Sequence, residues 1–115
     1  MVFMLTSEQR LSAIHRLGRA LADPTRCRLL LALLEGPSHP AGLADTLGLT
    51  RQNVSNHLAC LRECGLVQGR QQGRQVFYEL VDASLVHALE DLLDVVWGVA
   101  EEHTPPGEST PVPAG

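Results

Sequence analysis

Residues 50–64 read TRQNVSNHLACLREC, and this stretch divides cleanly into three faces when wound at about 100° per residue. Val54, Leu58 and Leu61 recur at i, i+4 and i+7, the apolar stripe of a helix laid on a core. Thr50 is placed as an N-cap, its hydroxyl free to accept a first-turn N–H, and Gly65 follows as a left-handed stop. On the side away from the stripe stand Gln52, Ser55, Asn56 and Ala59. A solvent face ordinarily carries long charged side chains; short amides and hydroxyls suit base edges and phosphates instead. The third face holds Asn53, His57, Cys60 and Cys64, with the two thiols one turn apart.

Immediately upstream, residues 41–47 (AGLADTL) form a short helical pattern closed by Gly48. Two short helices joined by a Gly-containing turn, the second polar on its outer side, describe a helix-turn-helix. Downstream, residues 65–67 and 75–80 (QVFYEL) are rich in β-formers and flank QGRQQGRQ. This pattern predicts a β-hairpin with a basic tip, a wing able to follow the DNA backbone or the neighbouring minor groove. Further back, residues 7–22 carry Leu11, Ile14, Leu17 and Leu21 on one stripe with Ser7 as the expected N-cap. Asp23-Pro24 restarts the chain, with Pro24 well placed at a first helical turn, and residues 26–35 (RCRLLLALLE) form a strongly apolar helix ended by Gly36-Pro37. Residues 82–103 return to helical periodicity with Leu85, Ala88, Leu89, Leu92, Leu93, Val96 and Val99 on one broad face, capped by Asp82 or Ser84.

The expected architecture is therefore mostly α with a small β-hairpin wing, a winged helix-turn-helix dimerised through its terminal helices. Residues 1–103 form the DNA-binding and dimerisation domain, and the Pro/Gly-rich tail, 104–115, is expected to be disordered. A chain of 115 residues gains by burying a helix face against a second copy, so a homodimer is expected.

The net charge of −4 argues against nucleic acid until its distribution is read. Every basic residue is an arginine, and all nine lie between Arg10 and Arg74. To residue 80 they outnumber six acids, a balance of +3, whereas residues 81–115 hold seven acids and no Lys or Arg, −7. The first part can meet phosphate and the last cannot. No apolar run approaches a membrane span, and residues 1–10 lack a basic-then-apolar leader. These features predict a cytoplasmic protein without a membrane partner. An odd count of three cysteines then argues for reduced thiols rather than a disulfide framework. The sequence carries no phosphate-cradling glycine loop, metalloprotease helix or nucleophile elbow, so neither an enzyme nor an organic cofactor is expected.

Three segments together, LADPTRCRLLLALLEGP, LADTLGLTRQNVSNHLACLRECGLV and GRQVFYEL, resemble the ArsR/SmtB winged-helix metal-sensing repressors over residues 7–103. The Cys60-x-x-x-Cys64 pair looks most like that of the CmtR-type cadmium and lead sensors within the family. The resemblance implies a dimer whose metal-free form holds operator DNA and whose metal-bound form lets go. One departure stands out: those sensors complete their thiolate site with a cysteine from the C-terminal region, and this chain has none after Cys64. A third ligand must come from Cys27, or from Glu101, Glu102 or His103 at the end of the last helix. The family's other site, a zinc site on the dimer helix, is only partly echoed by Asp82, His87 and Glu90.

Each candidate residue also has a plainer use. Cys60 and Cys64 can be small buried hydrophobes, and Cys27, in an apolar helix, can simply pack. Read as ligands, two thiolates suit a soft ion, Cd²⁺ or Pb²⁺ first, with Zn²⁺ and As(III) as further options. His57 can bind metal, contact phosphate or pack. Arg51, Gln52, Ser55, Asn56 and His57 are the expected DNA contacts of the helix, with Arg70 and Arg74 touching phosphate from the wing. Two rivals share the fold: a thiol redox sensor, hampered by poor disulfide geometry between adjacent turns of an intact helix, and a DNA-binding regulator with no metal site.

Overall fold

The computed structural model describes residues 4–102. Its elements run α1 (Ser7–Leu21), α2 (Pro24–Leu34), α3 (Pro40–Leu47), α4 (Arg51–Glu63), β1 (Val67–Gln72), β2 (Gln75–Leu80) and α5 (Ala83–Glu102). His103 and the tail, 104–115, lie outside the described residues, as do the side chains of Glu101 and Glu102.

The core lies where the sequence stripes converge. Val54, Leu58 and Leu61 of α4 are fully buried against Leu29, Leu30 and Leu33 of α2, with Leu43 and Ala44 of α3, Ala20 of α1, and Val67 and Leu80 of the hairpin closing the cluster. Fully burying one such leucine contributes about 2 kcal/mol, so α4 is fixed chiefly by the side turned away from its polar face.

The α3–α4 turn is short. Gly48 sits in the left-handed region at φ 68° and ends α3, a conformation that would strain a residue bearing a Cβ. Thr50 then caps α4, its Oγ1 accepting the Asn53 N–H at 3.0 Å. At the other end of α4, Gly65 takes φ 79°, as its place in the sequence predicted.

The helix boundaries are set by caps, not all of them the expected ones. Thr6, not Ser7, caps α1, because Gln9 stands at the position that completes a capping box: Thr6 Oγ1 accepts the Gln9 N–H at 3.1 Å and Gln9 Oε1 accepts the Thr6 N–H at 2.9 Å. α2 starts at Pro24, in the first helical turn as expected, and the Asp23 carboxylate caps it by accepting the Arg26 N–H at 3.0 Å. α3 is capped by His39, whose Nδ1 accepts the Gly42 N–H at 3.1 Å. Of the two caps expected for α5, Asp82 is the one used: its Oδ1 accepts the Leu85 N–H at 2.9 Å.

The wing is longer than its apolar residues suggested. β1 continues through Gln72 in antiparallel register with β2, Val67 opposite Leu80 and Gln72 opposite Gln75, leaving Gly73 and Arg74 as the turn. Arg70 therefore sits in a strand, opposite Phe77, rather than in a loop. The hairpin is joined to the helices by Ser38, whose N–H donates to Tyr78 O at 3.0 Å and whose carbonyl accepts the Tyr78 N–H at 2.7 Å. The His39 ring adds an edge contact to Phe77, centroids 5.1 Å apart.

Both terminal helices keep apolar surface. Leu11 and Ile14 of α1 are 71% and 66% exposed, and Leu92, Leu93, Val95 and Val96 of α5 are exposed as well. Among the described residues no helix is long and apolar enough to cross a membrane.

Candidate nucleic-acid interface and thiol cleft

α4 presents its predicted polar face outward. Arg51, Gln52, Asn53, Ser55 and Asn56 are exposed, and the Gln52 amide donates to Asn56 Oδ1 at 2.9 Å across one turn. That bond orients the two amides relative to one another on the exposed face. Ala59, placed by sequence on the same face, is half-buried at its edge. In the wing, Arg70 donates through Nη2 to Glu79 Oε1 at 3.1 Å, and Gln68 donates to Glu79 Oε2 at 2.9 Å. Arg74 is exposed at the hairpin tip.

His57 points elsewhere. It is half-buried where the α1–α2 junction meets α4, with Nδ1 3.5 Å from Arg26 Nη1 and 3.8 Å from Asp23 Oδ2. The Arg26 guanidinium also donates from Nε to Ala20 O at 3.0 Å and from Nη2 to Arg19 O at 2.8 Å, tying down carbonyls at the C-terminal end of α1. Asp23 is held below the usual carboxylate range, first by the Arg26 N–H, against the desolvation of its partial burial, and further by the charges of His57 and Arg26.

One turn along α4 from His57, Cys60 and Cys64 open together, half-buried, onto a cleft of about 220 Å³. Glu63 lines it from the same helix, Arg16, Arg19 and Ala20 from α1, and Arg26 from α2. The two thiols thus share one space on the flank of the helix whose outer face carries the polar side chains. Cys27 does not share it. Its Sγ donates to Leu21 O at 3.1 Å, and it faces a separate apolar cavity of about 480 Å³ between α2 and α5.

Among the described residues no group of three or more His, Cys, Asp or Glu side chains is arranged to hold an ion. Cys60 and Cys64 are apt donors for a soft ion, with the rest of a coordination sphere still to be supplied. Glu101 and Glu102 extend α5 in backbone, while His103 lies outside the described residues. On α5, His87 Nδ1 and Glu90 Oε1 are 3.9 Å apart and both exposed, whereas Asp82 is used as the helix cap.

The profile of the bacterial regulatory protein arsR family matches residues 23–68, from the cap of α2 to the start of the wing. Beyond that segment, the HTH-type transcriptional regulator CmtR of Mycobacterium tuberculosis is 62% identical over 96 residues, 84% of this chain and 81% of that protein. The chain belongs to the arsR family. Among solved structures of arsR-type proteins, the NMR structure of the cadmium metal-sensor CmtR from Mycobacterium tuberculosis superposes with a TM-score of 0.62 at 54% identity, covering 87% of this chain and 97% of that one. A homodimeric winged helix-turn-helix DNA-binding domain from Mycobacterium bovis, a possible ArsR-family regulator, superposes with a TM-score of 0.75 at 26% identity, over 94% of this chain and all of that one. The winged helix-turn-helix expected from the sequence is the fold the chain adopts.

Proposed function

We propose that this arsR-family chain is a metal-responsive transcriptional repressor that binds operator DNA as a homodimer and releases it when a thiophilic ion is captured by Cys60 and Cys64. The observation that carries the reading is the placement of both thiols in one cleft on the flank of α4, beside the exposed Arg51, Gln52, Ser55 and Asn56. The likeness to a cadmium metal-sensor supports the effector class, and the homodimeric relative supports the assembly.

In this reading α4 enters the major groove, with Gln52, Ser55 and Asn56 toward base edges and Arg51 toward phosphate. The wing lies along the backbone through Arg70 and Arg74. A second copy covers Leu11 and Ile14 of α1 and the apolar face of α5, setting the spacing of the two α4 helices to successive turns of the duplex. Cd²⁺ or Pb²⁺ binding costs each thiol its proton as the sulfur–metal bond forms, and the softness of sulfur ranks those ions ahead of Zn²⁺. With Cys27 turned into another cavity, the remaining candidates from the sequence, Glu101, Glu102 or His103, are left to complete the sphere. The ion then pins α4 to the dimer element in an arrangement whose reading heads no longer match the operator. A coupling of about 3 kcal/mol weakens operator binding roughly 150-fold.

The test is a Cd²⁺ titration of the dimer on a labelled promoter fragment, following thiolate-to-metal absorption and DNA release together. The two signals rise in step at one stoichiometry. Absorption without release, or release without absorption, contradicts the reading.

A further inference from the structure

We infer that Arg26 is the positioning residue through which the thiol cleft is coupled to the DNA-reading helix; the inference rests on the metal reading of Cys60 and Cys64. Arg26 belongs to α2, yet its guanidinium joins three helices at one point. It donates to Ala20 O at 3.0 Å and Arg19 O at 2.8 Å on α1, and Nη1 lies 3.5 Å from His57 Nδ1 on α4. Its own N–H is taken by Asp23 Oδ2 at 3.0 Å, and the same carboxylate oxygen lies 3.8 Å from His57 Nδ1. The same side chain also walls the cleft that holds Cys60 and Cys64.

The consequence follows from the wall that the cleft and this junction share. An ion on Cys60 and Cys64, with the donor that completes its sphere, sits in a cleft of about 220 Å³ that the Arg26 guanidinium borders. As ligands gather on the thiols, the guanidinium that walls the cleft has two sets of partners to choose between: it keeps its α1 carbonyls and gives up His57, or moves with His57 and releases α1. Either move changes the angle between α1 and α4. α1 carries the exposed Leu11 and Ile14, the surface proposed for the second copy, so a change there re-aims one reading helix relative to its partner. Arg26 supplies no ligand to the ion. It converts occupancy of the cleft into a helix angle.

The experiment measures operator affinity with and without saturating Cd²⁺ for the parent dimer, Arg26→Lys, Arg26→Gln, His57→Gln and the double variant Arg26→Gln/His57→Gln, with thiolate-to-metal absorption and Tm recorded for each. The ratio of the two affinities cancels any direct contribution of these residues to DNA binding. The parent is released about 150-fold, the Arg26 variants under about 5-fold, and all retain stoichiometric Cd²⁺ absorption. His57→Gln loses the same coupling, and the double variant loses no more than either single, as two ends of one link require. Arg26→Lys, which keeps the charge but not the fork, remains foldable should Arg26→Gln not be. Full release of the Arg26 variants by Cd²⁺, or of His57→Gln, overturns the inference, since a residue that merely caps α1 would lower Tm and leave the ratio alone. A parent dimer that Cd²⁺ does not release refutes the metal reading itself, and Arg26's role with it.

Discussion

Arg70 on β1 donates to Glu79 on β2 at 3.1 Å, so the wing arginine proposed to meet phosphate is held by a carboxylate of the same hairpin in the free protein. Arg70 is 57% exposed, and surface pairs of this kind contribute at most about 1 kcal/mol to stability. Phosphate can therefore take over the guanidinium at little cost. Glu79→Gln is expected to tighten operator binding by about 2–5-fold at low salt, by replacing a competing carboxylate with a neutral, weaker acceptor and removing a negative charge near the backbone. Fluorescence anisotropy across a salt series checks this; an unchanged or weaker affinity places the wing away from the duplex.

Gln52 and Asn56, joined by a hydrogen bond on the exposed face of α4, are proposed to read bases, and Arg74 to hold the backbone. Asn56→Ala is expected to cost about 1–3 kcal/mol on the cognate operator and far less on unrelated DNA. Arg74→Ala, at the hairpin tip, is expected to weaken every sequence alike and to lower the salt slope by about one. Competition binding with cognate and scrambled duplexes distinguishes the two patterns.

Much of this arrangement was legible in the sequence where local chemistry decides the outcome. Val54, Leu58 and Leu61 announce their burial by spacing, and Thr50 and Gly65 mark the ends of α4 by residue type. Thr6 was legible as well, since its capping box needs Gln9; the adjacent Ser7 hydroxyl obscured it. The extension of β1 through Gln72 was not, because QGRQQ has no apolar alternation and is drawn into a strand by pairing with β2. The same holds for Ser38 with Tyr78 and for Arg26 with His57: each contact joins residues far apart in the chain, and only the folded packing brings them together. His57, set by the helical wheel on the flanking face with the two thiols, packs into this junction, while Cys27, equally eligible by residue type, faces a different cavity.

The cavity that Cys27 faces leads to a prediction of its own. Its thiol is satisfied by Leu21 O at 3.1 Å among apolar neighbours, apart from Cys60 and Cys64. Cys27→Ala is expected to leave Cd²⁺ stoichiometry and operator release unchanged while costing about 1 kcal/mol of stability. Loss of the metal-dependent absorption in this variant would move Cys27 into the site.

Acid stability should report on Asp23. Because the fold holds this carboxyl below its usual range, its stabilising contribution is present above the unfolded value and is lost as pH falls through the folded one, below about pH 4. Asp23→Asn removes that dependence. Urea denaturation from pH 6 to pH 3 should give a flatter stability profile for the variant than for the parent, and parallel profiles would show that the cap and the His57 contact do not persist in solution.

The most direct test of the account replaces both sulfurs of the cleft. Operator binding by the Cys60→Ser/Cys64→Ser dimer, followed by anisotropy as Cd²⁺ is added, should match the metal-free parent in affinity and remain unchanged to saturation, while the parent is released roughly 150-fold. Release of the double variant at the same Cd²⁺ concentration as the parent would contradict the central claim that these two thiols make the grip on DNA conditional on a soft ion.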